Sequence, residues 1–468
     1  MSEENNPELD FLNEEDEIEQ SLDIGFIEGR WYYGMRTNRG HNFLIYSDKT
    51  IEKDKYKCPS CEREVETSKV PTKCPCGRKG NFDRIFPSKF KSSAKIGNIA
   101  PLWSKPYAKE WIEGRIDGLD KKKLFEEIKE RINFFMDFGD NKCYPEVQAC
   151  WVMATYVYPL FYWFPNLLFK GPSGSGKSKN ARVLMYMSFR GYDLGAAGGI
   201  DPAQLYRTLE GNKGTVFIDE FEKNEKDESQ KLVNQILNAG ATRDSYIIRN
   251  VQEEDKDWCP KKFPIFCPKL VCNISGINPT SMRRFIPFEL LRSSGKKSNN
   301  KEERPEEKEK FEFIRNRMYP LMLDNWKEIK QIEHNLKTCW LGGGDEDNWR
   351  PILTLAKWIG EDIFESIKKE ISNFCELQIE ETDIEEMMFR EIYKQFCDKE
   401  SIILTPKEIA GFIIEELDFV KSSSSWVGWK LRRYNFKKGR NTDKRFYKFS
   451  KVEIIHILDV YFGGYNIK

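Results

Sequence analysis

The chain has 468 residues, 39% of them hydrophobic and 13% aromatic, and its 75 basic and 75 acidic residues give a net charge of +0. That length favours about three domains with ordinary cores, and the neutral balance excludes attraction of nucleic acid by a whole-protein field, leaving local basic patches to do it. The N-terminus lacks the basic, apolar and cleavable pattern of a leader, and the longest apolar stretch, Trp151 to Leu168, contains two prolines, so no membrane contact is expected. The twelve cysteines mostly lack the spacing of a disulfide framework, which fits a reduced, cytoplasmic protein.

Met1 to about Asp23 is rich in Asp and Glu with little apolar pattern, and residues 1–25 read as an acidic disordered tail. Trp31 through Ile51 alternates and is aromatic around the turn signal Asn38-Arg-Gly40, which predicts a β-ribbon. Cys58-Pro-Ser-Cys61 and Cys74-Pro-Cys76-Gly77 follow, two close thiol pairs twelve residues apart. Four thiolates satisfy tetrahedral zinc and leave no open position for catalysis, so a structural Zn²⁺ site is expected within a zinc-ribbon domain at 26–90, with free cysteines or a redox pair as the alternative. Lys55, Lys57, Arg63, Lys69, Lys73, Arg78 and Lys79 surround it, suiting either a grip on nucleic acid or a stapled protein-contact module. Residues 91–144 read as a helical connector with one amphipathic helix, Lys121 to Phe138.

Gly171-Pro172-Ser173-Gly174-Ser175-Gly176-Lys177-Ser178 matches the phosphate-binding loop pattern between a short buried strand, Asn166 to Phe169, and a helix, Lys177 to Met187. Its glycines turn backbone N–H groups onto a polyphosphate, Lys177 adds positive charge, and the Ser178 hydroxyl suits Mg²⁺. Thr215-Val-Phe-Ile-Asp219-Glu220 is a second strand ending in two carboxylates, Asp219 to hold Mg²⁺ and Glu220 to polarise an attacking water. The competing reading is a Gly-Ser turn and an unrelated acidic pair. Tyr246-Ile-Ile-Arg249 and Phe263 to Phe266 form a plausible hairpin, and Leu270-Val-Cys-Asn273 a further strand whose Asn273 either orients the lytic water or caps a turn. Arg283 and Arg284 precede the strand-like Ile286 to Leu290 and suit an arginine finger for a neighbour's γ-phosphate, or a contact within the same subunit.

Ser293 to Lys310 reads as a mobile loop and Phe311 to about Ile379 as several helices. Asp383 to Lys399, Pro406 to Leu417 and Ser424 to Tyr434 read as three helices, followed by strands near Asn435 to Lys438 and Arg445 to Phe449, the order of a winged helix-turn-helix over 380–468. Lys430, Arg432, Arg433, Lys437, Lys438, Arg440, Lys444 and Arg445 make it locally basic, which suits DNA phosphates, with a protein-contact cap as the other reading.

The ordered motifs GPSGSGKS, VFIDE, QILNAGATRD, YIIR, FCPKLVCN, SMRRFIPFELLR and NWRPILTLAKWIG resemble the AAA+ ATPases of phage and plasmid replication, a primase-associated helicase-like group distantly similar to superfamily 3 and minichromosome-maintenance helicases. The resemblance spans roughly residues 145 to 365. It implies an α/β fold with an AAA+ core of parallel sheet and flanking helices at 145–292, a mobile loop and helical lid at 293–379, and a homo-oligomeric ring, usually hexameric, with ATP bound between subunits. It also implies that the hairpin before Asn273 projects into the ring channel, making Lys261 and Lys262 DNA contacts, and that Arg350 occupies a second sensor position. The function so implied is a replicative or plasmid-type DNA helicase on single-stranded or forked DNA, with an ATP-switched initiator, loader or regulator as the alternative. No primase site is recognisable, so any polymerising activity would come from a primase or polymerase partner.

Overall fold

The computed structural model describes residues 21–36, 42–66, 71–80, 82–85, 90, 96–139, 141–196, 202–219, 228–252, 258–273, 282–290, 296–338, 341, 343–397, 399–417, 424, 427–428, 431, 436–441 and 444–462. Contacts divide the chain into two units, Met1–Ile371 and Ser372–Lys468. No helix among the described residues is long and apolar enough to cross a membrane.

The first unit begins with β1 (Ile24–Ile27), β2 (Arg30–Arg36), β3 (Asn42–Tyr46) and β4 (Ile51–Lys53), an antiparallel sheet in chain order. The aromatic ribbon expected there is thus four strands. They do not share a sheet with β5 (Lys55–Lys57), β6 (Glu64–Glu66) and β7 (Asp83–Ile85), which form a separate sheet around the cysteines in the order β6-β5-β7. The reason is packing: Trp31 lies fully buried on Trp326 with ring centroids 6.3 Å apart, and the Tyr33 hydroxyl donates to the Tyr156 carbonyl at 2.6 Å.

Asp23, expected at the end of the acidic tail, is fully buried. It is ion-paired with Arg190, itself 3% exposed, and its carboxylate accepts from the backbone N–H groups of Gly97 and Lys213, each at 2.8 Å. A carboxylate so enclosed is tolerable only because every side of it meets a donor or cation.

Helices α1 (Lys105–Ile112), α2 (Lys121–Phe135) and α3 (Tyr144–Ala154) lead into the parallel sheet. Asp120 caps α2 by accepting from the N–H groups of Lys122 and Lys123. The sheet's strands are β8 (Asn166–Lys170), β9 (Tyr192–Ala196), β10 (Val216–Asp219), β13 (Lys269–Asn273) and β14 (Phe285–Glu289), in the spatial order β14-β8-β13-β10-β9 with all neighbours parallel. β8, β10 and β14 are buried along nearly their whole length, as a sheet covered on both faces requires. Helix α4 (Lys177–Met187) lies along it. Helices α5 (Pro202–Gly211) and α6 (Glu228–Ala239) pack Leu205, Leu209, Val233 and Ile236 into one core with Leu168, Val216 and Ile218. Between β10 and β13 the chain makes the antiparallel hairpin β11 (Tyr246–Gln252) and β12 (Trp258–Pro264). Helices α7 (Pro305–Asn335), α8 (Gly343–Ile359) and α9 (Glu361–Lys394) follow.

In the second unit β15 (Ser401–Leu404), β16 (Lys437–Asn441) and β17 (Lys444–Ser450) pair antiparallel in the order β15-β17-β16, with α10 (Pro406–Leu417) and α11 (Lys451–Phe462). Thr405 and Glu408 form a reciprocal capping box at the start of α10, as do Ser450 and Glu453 at α11. α10 and β17 coincide with an expected helix and strand, and β16 begins two residues after the start of the other expected strand. β15 and α11 are additional, and most of the expected helix Ser424 to Tyr434 lies outside the described residues.

Two outcomes follow for stability. Asp23→Ala leaves Arg190 buried without its carboxylate and should cost about 3–5 kcal/mol in urea unfolding, while Asp23→Ala combined with Arg190→Met should recover much of that loss. Burial pulls the Lys213 ammonium from 10.5 down to about 8. The folded chain therefore binds fewer protons than the unfolded chain between those values, so Lys213 makes stability rise with pH across that window, and Lys213→Met should remove that part of the slope.

Candidate nucleotide site

β13 lies between β8 and β10, and its register sets Asn273 beside Lys170 and Val271 beside Ile218. The carboxyl ends of three strands therefore meet at one edge, where open α/β sheets bind ligands. The loop leaving β8 has Gly171, Gly174 and Gly176 at φ +143°, +78° and +90°. A side chain at Gly171 would stand 2.2 Å from the Leu290 carbonyl oxygen, so the close approach there is open only to glycine. Gly176 is the left-handed residue from which α4 starts, and its carbonyl accepts from Asn180 at 2.9 Å.

Pro172, Ser173 and Gly174 are exposed while Ser175 and Lys177 are buried. The Lys177 ammonium folds back onto the carbonyls of Gly171 at 2.7 Å and Pro172 at 3.0 Å. The Ser175 hydroxyl is buried with no hydrogen-bond partner. The Ser178 hydroxyl donates to the Asp219 carboxylate at 2.9 Å, closing the gap between loop and β10. An N–H-lined turn at a helix start, an unpartnered hydroxyl and a lysine resting on carbonyls fit a polyphosphate, and the Ser178 and Asp219 oxygens are hard donors of the kind Mg²⁺ takes. Glu220 lies outside the described residues, and of Asn273 only the backbone is described.

α4 is held by residues that carry no motif. Arg182 donates to Glu302 at 2.8 Å, and the Lys179 ammonium to the Lys297 carbonyl at 2.9 Å. The segment expected to be mobile is, in its described residues 296–304, fastened to this helix.

Arg283 and Arg284 stand at the other edge of the sheet. β14 runs parallel to β8 with Phe285 opposite Asn166, so the pair precedes the strand whose far end reaches the loop, about 15 Å away at ~3.3 Å per residue. Arg284 is half-buried and its Nε donates to the Asn238 carbonyl at 2.6 Å; burial, then the Arg283 charge, lowers its pKa. Arg283 is exposed. The Arg350 guanidinium donates to the carbonyls of Glu333 and Leu336 and to the side chains of Thr338 and Glu346, at the carboxyl end of α7.

In the hairpin, Lys261 stands opposite Arg249 and Lys262 opposite Ile248, so the two lysines fall on opposite faces. Lys261 pairs with Glu210 at 2.9 Å, on the face that also carries Phe263. Lys262 lies on the outer face, its ammonium 4.5 Å from the Tyr246 ring centroid, with Ile248 50% and Trp258 67% exposed beside it. The hairpin root is pinned by two buried lysines that the motif search missed. Lys269 donates to the carbonyls of Gly240, Ile265 and Cys267, and Lys213 to that of Pro264 at 2.6 Å.

Cys58, Cys61, Cys74 and Cys76 bring their sulfurs within 4.8 Å of one another. Burial pushes the Cys58 thiol up, but the N–H groups of Ser60 and Cys61, with the neighbouring thiols, bring it down to about 6, while Cys74 is held high. Thiols this close cannot all ionise without a cation among them. Among the described residues, Tyr56, Cys58, Cys74 and Phe82 form a small core beneath them. In the second unit the backbone register sets Arg440 opposite Arg445 and Lys437 opposite Lys448. Lys430, Arg432 and Arg433 lie outside the described residues, and of Lys437, Lys438, Arg440, Lys444 and Arg445 only the backbone is described.

No family model and no curated protein matches the chain. Solved structures similar to it include SCCmec type IV Cch, titled an active helicase, at 12% identity and TM-score 0.39 over 70% of this chain and 71% of that one. The apo C-terminal region of NrS-1 is similar at 13% identity and TM-score 0.28 over 89% and 96%. The JCV helicase is similar at 15% identity and TM-score 0.22 over 57% and 78%.

Proposed function

We propose that the chain is an ATP-driven DNA motor of the helicase type, hydrolysing ATP between copies of itself in a ring, most simply a hexamer. The observation that carries this reading is the loop edge of the parallel sheet, where Ser178 already bonds Asp219 and Lys177 rests on loop carbonyls. On nucleotide binding Lys177 exchanges those carbonyls for phosphate oxygens. Ser178 and Asp219 would hold Mg²⁺, which would supply charge neutralisation at the phosphates. Glu220 takes the proton of the attacking water, and Asn273 at the end of the intervening strand orients that water.

Placement at the opposite edge gives Arg283 no route to its own loop, and it alone of the pair is free of burial, so it serves as the finger for the adjoining copy. Arg284 has the structural task of capping α6 through the Asn238 carbonyl. Arg350 is assigned to the lid's own fold rather than to sensing. Lys262, with Tyr246 and Trp258, is the better DNA contact on the hairpin, since Lys261 is satisfied by Glu210. The cysteine module would hold a structural zinc ion, and the second unit is a winged helix whose basic strands, with Arg440 opposite Arg445 in register, contact DNA phosphates.

ATP turnover should rise with single-stranded or forked DNA and vanish in Lys177→Ala and Glu220→Gln. Turnover indifferent to DNA would instead favour a protein remodeller, and turnover without strand displacement an ATP-switched loader. Arg283→Ala should lower turnover by about 10³ or more while Arg284→Ala lowers stability. Mixing Lys177→Ala chains with Arg283→Ala chains should restore part of the activity, because some interfaces then join an intact loop to an intact arginine; an arginine acting within its own subunit predicts no recovery. Cys61→Ser should release zinc to a colorimetric chelator and unfold the β5–β7 module without shifting the main unfolding transition.

A further inference from the structure

The carboxyl end of α7 and the facing turns of α8 and α9 enclose a groove of about 540 Å³ in the first unit. Ile332, Leu336 and Phe364 give it apolar walls, Lys337, Lys357 and Lys368 its charge, and none of its lining residues is acidic. Two of the ammonium groups lie against the same ring, Lys357 at 4.8 Å and Lys368 at 5.8 Å from the Phe364 centroid. Their partners, Glu361 and Glu365, are themselves exposed residues near the start of α9, so water and salt weaken these pairings readily. Such a groove suits an acidic peptide that also carries large apolar side chains.

This chain contains one. Between Met1 and Gln20 stand nine carboxylates and no basic residue, and Leu9-Asp-Phe11-Leu12 sets three large apolar side chains among them. We infer that this N-terminal segment docks into the α7–α9 groove of its own chain, its carboxylates on the three lysines and its Leu-Asp-Phe-Leu run on the apolar walls.

The chain enters the fold beside this same helix. Phe26 packs on Trp326 with ring centroids 5.1 Å apart, and the Lys330 ammonium lies 4.7 Å from the Phe26 centroid. From Lys330 to Asn335 is about 7.5 Å along a helix, whereas twenty residues can extend to roughly 66 Å, so reach is no obstacle. The inference needs no nucleotide and stands apart from the proposed ATPase.

Zero-length carbodiimide cross-linking of the full-length chain at low concentration, with half of the molecules isotope-labelled, tests it. Peptides joining carboxylates of residues 3–19 to Lys337, Lys357 or Lys368 should form within single chains and disappear at high salt. Leu9→Ser, Phe11→Ser and Leu12→Ser together keep every cross-linkable group, yet should lower the yield by about tenfold by removing the apolar anchors. Cross-links spread over other lysines, joining only different chains, or unchanged in the triple variant overturn the inference. Protection of the three lysines by an added oligonucleotide but not by the segment would assign the groove to nucleic acid instead.

Discussion

Threading β13 between β8 and β10 is the constraint on which the rest of the first unit depends. A loop, a carboxylate and a polar strand end that lie 41 to over 90 residues apart in sequence are brought to one edge by that order alone, and the Ser178 to Asp219 hydrogen bond is its local expression. The excursion between β10 and β13 then has nowhere to go but outward from the sheet, which is why the intervening chain becomes a solvent-facing hairpin. The same parallel order sends Arg283 and Arg284 to the far edge.

Charge inside this unit is handled by enclosure. Asp23 and Arg190 neutralise each other beneath the N-terminal sheet, and Lys269 spends its donors on three carbonyls. Buried ions of this kind add little net stability, yet each is satisfied only in one arrangement of its neighbours, so together they fix how the N-terminal sheet, the end of α4 and the hairpin root sit.

What was legible in the sequence was what is local. The phosphate loop, the helix Lys177–Met187, the helix Pro406–Leu417 and the thiol spacing all declare themselves within a few residues, because backbone conformation and capping are set there. Asp23 was misread because composition assigns an acidic residue to an acidic tail, whereas its partner Arg190 lies 167 residues away. Arg350 is tied to the end of α7 by contacts as far as 17 residues away in sequence, which its place in an ordered set of motifs does not reveal. The split between the two hairpin lysines follows from strand alternation once the register is known, and adjacent letters in a sequence hide it.

The pinned hairpin root has a mechanical meaning. Seven residues at about 3.3 Å make each strand a lever of ~23 Å. With Lys213 and Lys269 clamping the fulcrum at the amino ends of β10 and β13, bending within the arm is replaced by rotation of the whole arm with the sheet. A tilt of roughly 10° at that fulcrum displaces the tip by ~4 Å, so a small adjustment at the amino ends of the two strands is magnified several-fold at the tip.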